Sequence, residues 1–387
     1  MKTEYGLILE MCRDRTDIEV QLDKDELRKL DWADALWFMS LNKIDCMFAR
    51  KTINGMSWSE INKIVARDLR CKYLATHYRN SLVYRRIIPE IVQIFESLSV
   101  DFAMSKGVVH ASRLYGSIGE RYFGDIDLMV RKKDLKRIKE AFVQAGYTSG
   151  EYSFSKGVIL EATPEAVKFY EMTTHQTFPF SKVFDDPVTD FIEIDLNFGL
   201  GPDRNMKDAG LTDRLLARRT MIQCGDAAFP GLSREDLVLH CCLEIFRDTT
   251  AVFHIKDQDD LKLYQFVELS RMIANWAGEL DWPYLTSTAT EFGLDKPVYY
   301  ALHYCGQVFP DIGPLTEEFL RSIEPEDKSY LNQYGAENKQ GAEWEMPFIE
   351  RIFNKDRYEL IRQTVETGDF GAFKKREDFA SKNFQPK

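Results

Sequence analysis

The sequence lacks Cys-x-x-Cys pairs, long apolar runs and an excess of basic residues, and each absence excludes a class of protein. Its seven cysteines have no metal-ligand spacing, so they indicate neither a zinc site nor a disulfide framework. No stretch reaches the roughly 20 apolar residues of a membrane span, so we expect no membrane partner. With 51 basic against 62 acidic residues the formal charge is −11, which disfavours nucleic acid as a partner because its phosphates would be repelled.

The N-terminus also lacks the features of a secretory signal. Acidic residues interrupt its first fifteen positions, MKTEYGLILEMCRDR, where a signal peptide needs an apolar core. We therefore expect a cytoplasmic protein. The chain does contain enough apolar material, 44% of its 387 residues, to bury a sizeable core in two or three domains.

Two aspartates in the segment FGDIDLMV, residues 123–130, carry the clearest chemical signal. As a strand, this segment places Asp125 and Asp127 on one face and a row of apolar residues on the other, because strand side chains alternate. Two neighbouring carboxylates repel each other unless a positive charge lies between them. Mg²⁺ suits that position because it prefers oxygen ligands and usually binds substrate phosphates as well.

The residues ahead of this strand predict a phosphate site. Val100–Ser105 is predicted as a short strand, Lys106 and Gly107 as a turn, and Val108–Leu114 as a helix. A glycine that opens a helix lets backbone N–H groups approach a phosphate, and the helix dipole favours the anion there. Gly116-Ser117 is a second candidate turn. We favour the first turn and interpret the second as the loop that leads into the aspartate strand.

A second strand with two acids is predicted in FIEIDL, residues 191–196. Its alternation places Glu193 and Asp195 on one face, while the isoleucines and the leucine lie on the other. Two strands thus each offer a pair of carboxylates to one surface. We expect a downstream acid to complete the site that Asp125 and Asp127 begin.

This order of elements resembles the polymerase-β-like nucleotidyltransferase superfamily. More narrowly, it is similar to the uncharacterised nucleotidyltransferase family found beside peptide-tailoring and polysaccharide genes, over roughly residues 30 to 305. The matching residues are Lys106, Gly107, Tyr115, Arg121, Asp125-Ile126-Asp127-Leu128, Gly146 and Tyr147. The resemblance implies an α+β fold, with a mixed-sheet nucleotidyltransferase core flanked by N-terminal and C-terminal helical regions.

The resemblance also implies roles for the acids. Asp125, Asp127 and Glu193 would hold Mg²⁺, or Mn²⁺ in its place, and all four carboxylates are predicted to be catalytic. Asp195 stands where the family usually has a histidine. An acid at that position is either a further metal ligand or the base for the acceptor hydroxyl, and the sequence leaves both roles open.

Four residues are predicted to bind the nucleotide. Lys106 and Gly107 would form the phosphate turn, and Arg121 would bind a phosphate oxygen, unless it forms a salt bridge with an acid such as Glu120. His175 precedes an aromatic-proline pair, as a histidine of the family does. It would contact phosphate or acceptor, or serve as a hydrogen-bonded structural residue.

Helical patterns on both sides of the core suggest four parts. These are an N-terminal helical region at 1–99, the catalytic core at 100–230, a helical domain at 231–310 and a charged accessory segment at 311–387. In the first part, Leu82–Leu98 is predicted as a helix that Pro89 kinks or splits.

The sequence therefore predicts a magnesium-dependent nucleotidyltransferase. It would bind ATP or another nucleoside triphosphate and transfer the nucleotidyl group to a small-molecule or peptide acceptor, in peptide or polysaccharide tailoring. The displacement would occur in line at the α-phosphorus. Two alternatives are glycosyl or phosphoryl transfer from a nucleotide-activated donor at the same site, and an inactive nucleotide-binding sensor with this fold.

Overall fold

A computed structural model describes residues 3–13, 15, 23–54, 61–200, 210–336, 341–375 and 377. The chain divides into two compact units. One unit comprises Asp45–Leu237, and the other combines Met1–Ile44 with Val238–Lys387. The four-part division inferred from the sequence stays a prediction. Among the described residues no helix is both long and apolar enough to cross a membrane.

Helices make up most of the regular structure. In chain order they are α1 (Thr3–Cys12), α2 (Lys24–Lys29), α3 (Trp32–Leu41), α4 (Asp45–Asn54), α5 (Lys63–Leu82), α6 (Ile88–Leu98), α7 (Lys106–Arg113), α8 (Leu135–Gln144), α9 (Pro164–Thr173), α10 (Leu211–Ala217), α11 (Arg234–Thr250), α12 (Val252–Lys256), α13 (Leu263–Trp276), α14 (Trp282–Glu291), α15 (Asp295–Val308), α16 (Gly313–Ser322), α17 (Phe348–Ile352) and α18 (Arg357–Thr367).

The strands form one large sheet and one small one. They are β1 (Phe102–Met104), β2 (Asp125–Val130), β3 (Thr148–Ser153), β4 (Val158–Glu161), β5 (Phe180–Val183), β6 (Phe191–Asn197), β7 (Thr220–Cys224), β8 (Ala227–Gly231), β9 (Gln333–Tyr334) and β10 (Ala342–Glu343). The large sheet has the order β4-β3-β5-β6-β2-β1-β8-β7. It is mixed, because β2 pairs with β6 and β1 with β8 in parallel while the other pairs are antiparallel. This mixed sheet with flanking helices confirms the predicted α+β class.

The helix around Pro89 begins earlier than the sequence pattern suggested, and the proline interrupts it. α5 starts at Lys63, and a π-helical turn at Val83–Ile87 separates it from α6. Pro89 has no N–H to donate to the carbonyl of Arg85, and its ring crowds that carbonyl, so the preceding turn widens. The effect of Pro89 is therefore a π-helical turn within a continuous helical segment, and the predicted start at Leu82 was wrong.

The parallel pair β2 and β6 lies in the middle of the sheet and has an apolar face. Ile126 and Leu128 on β2, and Ile194 and Leu196 on β6, are completely buried. Partners in register share a face, and the pairs Ile126–Ile194 and Leu128–Leu196 are such partners. The alternate positions of both strands therefore lie on the other face of the sheet.

The second unit has its own core. The side chains of one hydrophobic cluster come from α12 and from residues 334–373; they are Val252, Ile255, Tyr334, Trp344, Ile361, Val365, Phe370 and Phe373. The guanidinium of Arg357 donates two hydrogen bonds to buried Asp260, at 2.7 and 2.6 Å. These two hydrogen bonds offset most of the free-energy cost that a buried carboxylate without a partner would have.

Candidate functional site

The parallel register of β2 and β6 determines which acids can meet. Asp125 lies opposite Glu193, and Asp127 lies opposite Asp195. Because residues two apart on a strand and residues paired in register share a face, all four carboxylates lie on the face opposite the isoleucines. The sequence predicted the two acid pairs, and the strand pairing places them side by side.

Three of the four acids form a compact cluster. Each of Asp125, Asp127 and Asp195 offers a carboxylate oxygen, and these oxygens all lie within 4.8 Å of one another. Asp127 and Asp195 are buried, and Asp125 is partly buried. Among the described residues, this is the group of acid, histidine and cysteine side chains with the spacing of a metal site. Three carboxylates this close repel one another strongly unless a cation joins them.

Asp195 is the acid least compensated by the protein. Its Oδ1 is buried and accepts no hydrogen bond from the part of the chain that the structure describes. Burial, and then the charges of Asp125, Asp127 and Glu193, raise the pKa of Asp195 well above its ordinary value, while Lys106 lowers it. A buried oxygen with no donor, beside two more carboxylates, is a donor set that fits a hard divalent cation.

Asp127 has partners that hold its carboxylate in place. The ammonium of Lys106 lies 2.8 Å from Asp127 Oδ1, and the side-chain amide of Asn197 donates to the same oxygen at 3.2 Å. Asn197 also accepts a hydrogen bond of 2.7 Å from the amide of Gln176. These contacts join the end of β6 to the acid cluster, and they orient one oxygen of Asp127.

The predicted phosphate turn coincides with the start of α7. Lys106 is the first residue of that helix, and its φ of +51° lies in the left-handed region that non-glycine residues seldom adopt. A Cβ on Gly107 would lie 2.4 Å from the Cβ of Phe123. Gly107 therefore allows α7 to pack closely against the chain just before β2. Phosphate binding by Lys106 and Gly107 stays a prediction, and Gly116-Ser117 lies in the loop that follows α7.

Arg79 is a functional candidate that the sequence reasoning missed. It lies near the end of α5, is only 6% exposed, and donates to the carbonyls of Phe123 and Gly124 at 2.5 and 2.8 Å. Burial lowers the pKa of its guanidinium, and the charge of nearby Asp125 raises it. This cation therefore anchors the two residues that lead into Asp125. Arg79 lies more than forty residues before these acids in the sequence, so no local pattern connects it with them.

Arg121 and His175 are both placed near the strands that carry the acids. Arg121 is buried, and its guanidinium donates a hydrogen bond to the backbone carbonyl of Tyr122. The backbone carbonyl of Arg121 accepts a hydrogen bond of 2.8 Å from the side-chain amide of Asn80. The carbonyl of His175 accepts from the N–H of Phe198 at 2.8 Å, directly after β6. The predicted contacts of these two side chains with phosphate or acceptor stay predictions.

Glu193 shares the face of the acid cluster but stands outside the compact group. It lies opposite Asp125 in the register and is partly exposed, whereas Asp195 is buried within the group. Its charge contributes to the raised pKa of Asp195. The geometry thus favours Asp195 over Glu193 as the third ligand, and the predicted metal role of Glu193 stays a prediction.

A pocket of about 900 Å³ lies on the opposite face of the sheet from the acids. Phe180 and Phe198 line it together with residues of α8 and α9. Phe180 is the register partner of Ile194, which belongs to the apolar face. The position of the carboxylates, rather than this pocket, therefore locates the candidate chemistry.

Comparisons with known proteins bear on this site. The family model described as "Uncharacterised nucleotidyltransferase" matches residues 28–310. Among curated proteins no significant match exists. One similar solved structure is that of an antigenic nucleotidyltransferase-like protein from Paracoccidioides brasiliensis, with 13% identity and a TM-score of 0.32 over 61% of this chain and 91% of that one.

Proposed function

Because this chain belongs to the uncharacterised nucleotidyltransferase family, as its resemblance predicted, we propose that it transfers a nucleotidyl group from a nucleoside triphosphate to an acceptor. The acceptor would be a hydroxyl, phosphate or carboxylate on a small molecule or peptide. The observation that carries this proposal is the cluster of Asp125, Asp127 and Asp195, with the uncompensated buried oxygen of Asp195. The net charge of −11 supports a small-molecule or peptide acceptor over a nucleic acid.

Mg²⁺ is the cation that we propose for the cluster, with Mn²⁺ as a substitute. Asp125, Asp127 and Asp195 would be its protein ligands. When bound, the cation supplies stabilisation of the negative charge that develops on the phosphate oxygens during displacement. Asp195 would bind the cation as a carboxylate, and the cation would oppose the rise in pKa that burial and the neighbouring acids cause.

The protein residues around the cluster have three proposed tasks. Lys106 and Arg79 would supply fixed positive charge at the site. Lys106 forms an ion pair with Asp127, and Arg79 donates a hydrogen bond to the backbone carbonyl of Gly124, just before Asp125. Lys106, Gly107, Arg121 and His175 would bind the triphosphate, as the resemblance implies. Glu193, partly exposed beside the cluster, would take the proton of an acceptor hydroxyl.

The proposed reaction is balanced in atoms and charge by the two substrates and one protein residue that accepts a proton. The acceptor O–H gives its proton to the Glu193 carboxylate, and the acceptor oxygen forms a bond to the α-phosphorus. The bond from that phosphorus to the bridging oxygen breaks, and pyrophosphate leaves with the electron pair. For a phosphate or carboxylate acceptor, which is already ionised, no proton transfer is needed.

Incubation of the protein with each of the four nucleoside triphosphates, Mg²⁺ or Mn²⁺ and a panel of acceptors tests this function. Mass spectrometry should detect a nucleotidyl adduct, and pyrophosphate should be released only with the divalent cation. Asp125→Asn should lower both signals on the order of 10²-fold or more, whereas Glu140→Gln, which changes an exposed acid on α8, should leave them unchanged. Cation-dependent triphosphate binding without transfer to any acceptor would instead favour the sensor alternative.

A further inference from the structure

Three aromatic rings form a cluster at one end of β3 and β6. Tyr152 and Phe191 stack with ring centroids 4.5 Å apart and planes 15° from parallel. Phe154 meets both rings edge-on, at 5.1 Å from Tyr152 and 5.9 Å from Phe191. Such stacked and edge-to-face pairs hold rings in defined orientations. We call these three residues the aromatic cluster.

The aromatic cluster lies on the same face of the sheet as the acids. Phe191 precedes Glu193 by two positions on β6 and therefore shares its face. Tyr152 stacks on the ring of Phe191, and Phe154 meets that ring edge-on, so both side chains gather at Phe191 on this face. The acids and the rings thus occupy one continuous surface.

The distance along β6 between the aromatic cluster and the acids is comparable to the length of a nucleotide. At about 3.4 Å per residue, Phe191 lies about 7 Å from Glu193 and about 14 Å from Asp195 along the strand. A triphosphate whose phosphates are held at the acid cluster carries its base beyond the ribose, at a distance of this order. Every nucleoside triphosphate carries such a base, whichever acceptor it reacts with.

The exposure of Phe154 distinguishes the cluster from ordinary core packing. Its side chain is 74% exposed, although Tyr152 and Phe191 hold its ring in place. Single exposed apolar side chains are common and need no explanation. An exposed ring held by two others, on the surface that carries a metal-type acid cluster, is a prepared stacking surface.

A second exposed aromatic lies near the acids but already has a partner. Tyr122 is 44% exposed, and the guanidinium of Arg79 lies over its ring at 5.2 Å. One face of that ring is therefore used by a cation that also holds the backbone before Asp125. This leaves the aromatic cluster as the better stacking surface of the two.

We propose that the aromatic cluster, with Phe154 as its exposed ring, stacks on the base of the nucleoside triphosphate. This rests on the proposed function, because it assumes that the triphosphate binds at the acid cluster. Stacking on an aromatic ring tolerates every base, since each base presents a π face. The site would therefore accept several triphosphates, with the larger purine bases bound more tightly than pyrimidines.

Calorimetric titration at fixed Mg²⁺ tests the proposal. ATP, GTP, CTP, UTP and inorganic tripolyphosphate, which has no base, are each titrated into the wild type, Phe154→Ala and Phe154→Trp. Loss of one stacking ring weakens base binding by about 1–3 kcal/mol, so Phe154→Ala should lower affinity for ATP and GTP about 5- to 150-fold. Affinity for tripolyphosphate should not change. Phe154→Trp should bind ATP at least as tightly as the wild type.

Leu160→Ala is the matched control. Leu160 lies on the same hairpin and is 46% exposed. Its neighbour Ile159 pairs with Tyr152, so Leu160 itself points to the opposite face. Leu160→Ala should therefore leave every affinity unchanged, and circular dichroism should give the same spectrum for all variants.

The outcomes separate this inference from the proposed function. If the wild type binds ATP and Phe154→Ala binds it equally well, the base site is wrong while triphosphate binding stands. An equal loss of tripolyphosphate affinity in Phe154→Ala would also overturn the base site, because the ring would then act on the phosphate end. If the wild type binds none of the triphosphates with Mg²⁺, the proposed function fails and the base site fails with it.

Discussion

The two faces of the β2–β6 pair differ in burial and in the compensation of their side chains: the apolar face is completely buried, whereas the acids range from buried to partly exposed. Ile194 is completely buried in an apolar environment, and the next residue, Asp195, is 8% exposed among other carboxylates. Burial of the first removes apolar surface from water and stabilises the fold, whereas burial of the second removes a charge from water and costs free energy. One face therefore stabilises the unit, and the other holds a site that is costly without a cation.

The difference shows how strand alternation separates stability from chemistry within a few residues. A metal site needs carboxylates that are close together, and closeness is destabilising until the cation arrives. The apolar face of the same strands offsets that cost without taking part in the chemistry. Substitutions on the two faces should therefore have opposite signatures in activity and in stability.

The largest effect is expected from the loss of a proposed metal ligand on the acid face. Asp125→Asn should lower Mg²⁺-dependent pyrophosphate release on the order of 10²- to 10³-fold, because the transition-state charge loses part of its compensation. Asp125 is only partly buried, so the free energy of unfolding should change little. Pyrophosphate release under saturating triphosphate measures the first quantity, and urea unfolding measures the second. Normal release would remove Asp125 from the site.

The reverse signature is expected on the apolar face. Ile194→Ala should lower the free energy of unfolding by about 2–5 kcal/mol, because a completely buried side chain leaves a cavity. Urea unfolding measures this, with Val158→Ala as a control at a 46% exposed position of the same sheet. If folded Ile194→Ala lost activity as strongly as Asp125→Asn does, the two faces would not be separate in function.

Lys106 offsets part of the free-energy cost of the acid face, as the proposed cation would. Lys106→Met removes the ammonium that lies 2.8 Å from buried Asp127, so the metal-free protein should lose about 2 kcal/mol of stability. Mg²⁺ should raise the melting temperature of this variant more than that of the wild type, since it would supply the missing positive charge. Thermal unfolding with chelator and with Mg²⁺ compares the two. An equal rise in both would show that Lys106 and the cation do not act on the same carboxylates.

The smallest effect is a gain of stability. Asp195→Asn should raise the free energy of unfolding of the chelator-treated protein by about 1 kcal/mol at pH 8, because a buried repelling charge is removed. The pKa of Asp195 is higher in the folded than in the unfolded protein, so the folded state binds more protons. The contribution of Asp195 to the stability of the wild type should therefore fall as the pH rises from the unfolded pKa of about 3.9 through the higher folded pKa.

A pH series of urea unfolding curves, in chelator, checks the sign of this effect. The advantage of Asp195→Asn should be smallest near pH 4 and should grow as the pH rises. The same substitution should lower the stabilisation that Mg²⁺ provides. If Asp195→Asn is less stable than the wild type at pH 8, the charge of Asp195 stabilises the folded protein and the prediction is wrong.

Several features of the site followed directly from the sequence. Strict alternation in residues 125–130 and 191–196 predicted two strands with acids on one face, because side chains on a strand point to opposite sides in turn. The same alternation predicted the apolar row beneath them. The α+β class followed from these strands together with the helical patterns around them.

Other features could not be predicted from local pattern. Parallel pairing of β2 with β6 in one register selects Asp195 to join Asp125 and Asp127, and a shift of one residue would have turned the acids of one strand to the other face. The hairpin of β3 and β4, which brings Tyr152 and Phe154 to Phe191, was likewise not foreseen. Contacts of this kind join residues far apart in sequence and leave no local periodicity.

The sequence by itself determined the chemical groups and the side of each strand on which they lie, because composition and alternation are local properties. Only the tertiary structure decided which groups meet. Lys106 reaches Asp127, and Arg79 reaches the backbone before Asp125, because packing of α7 and α5 against the chain brings them there. Strand register and helix packing depend on the whole unit, since each is the arrangement that buries the apolar face and compensates the buried charges together.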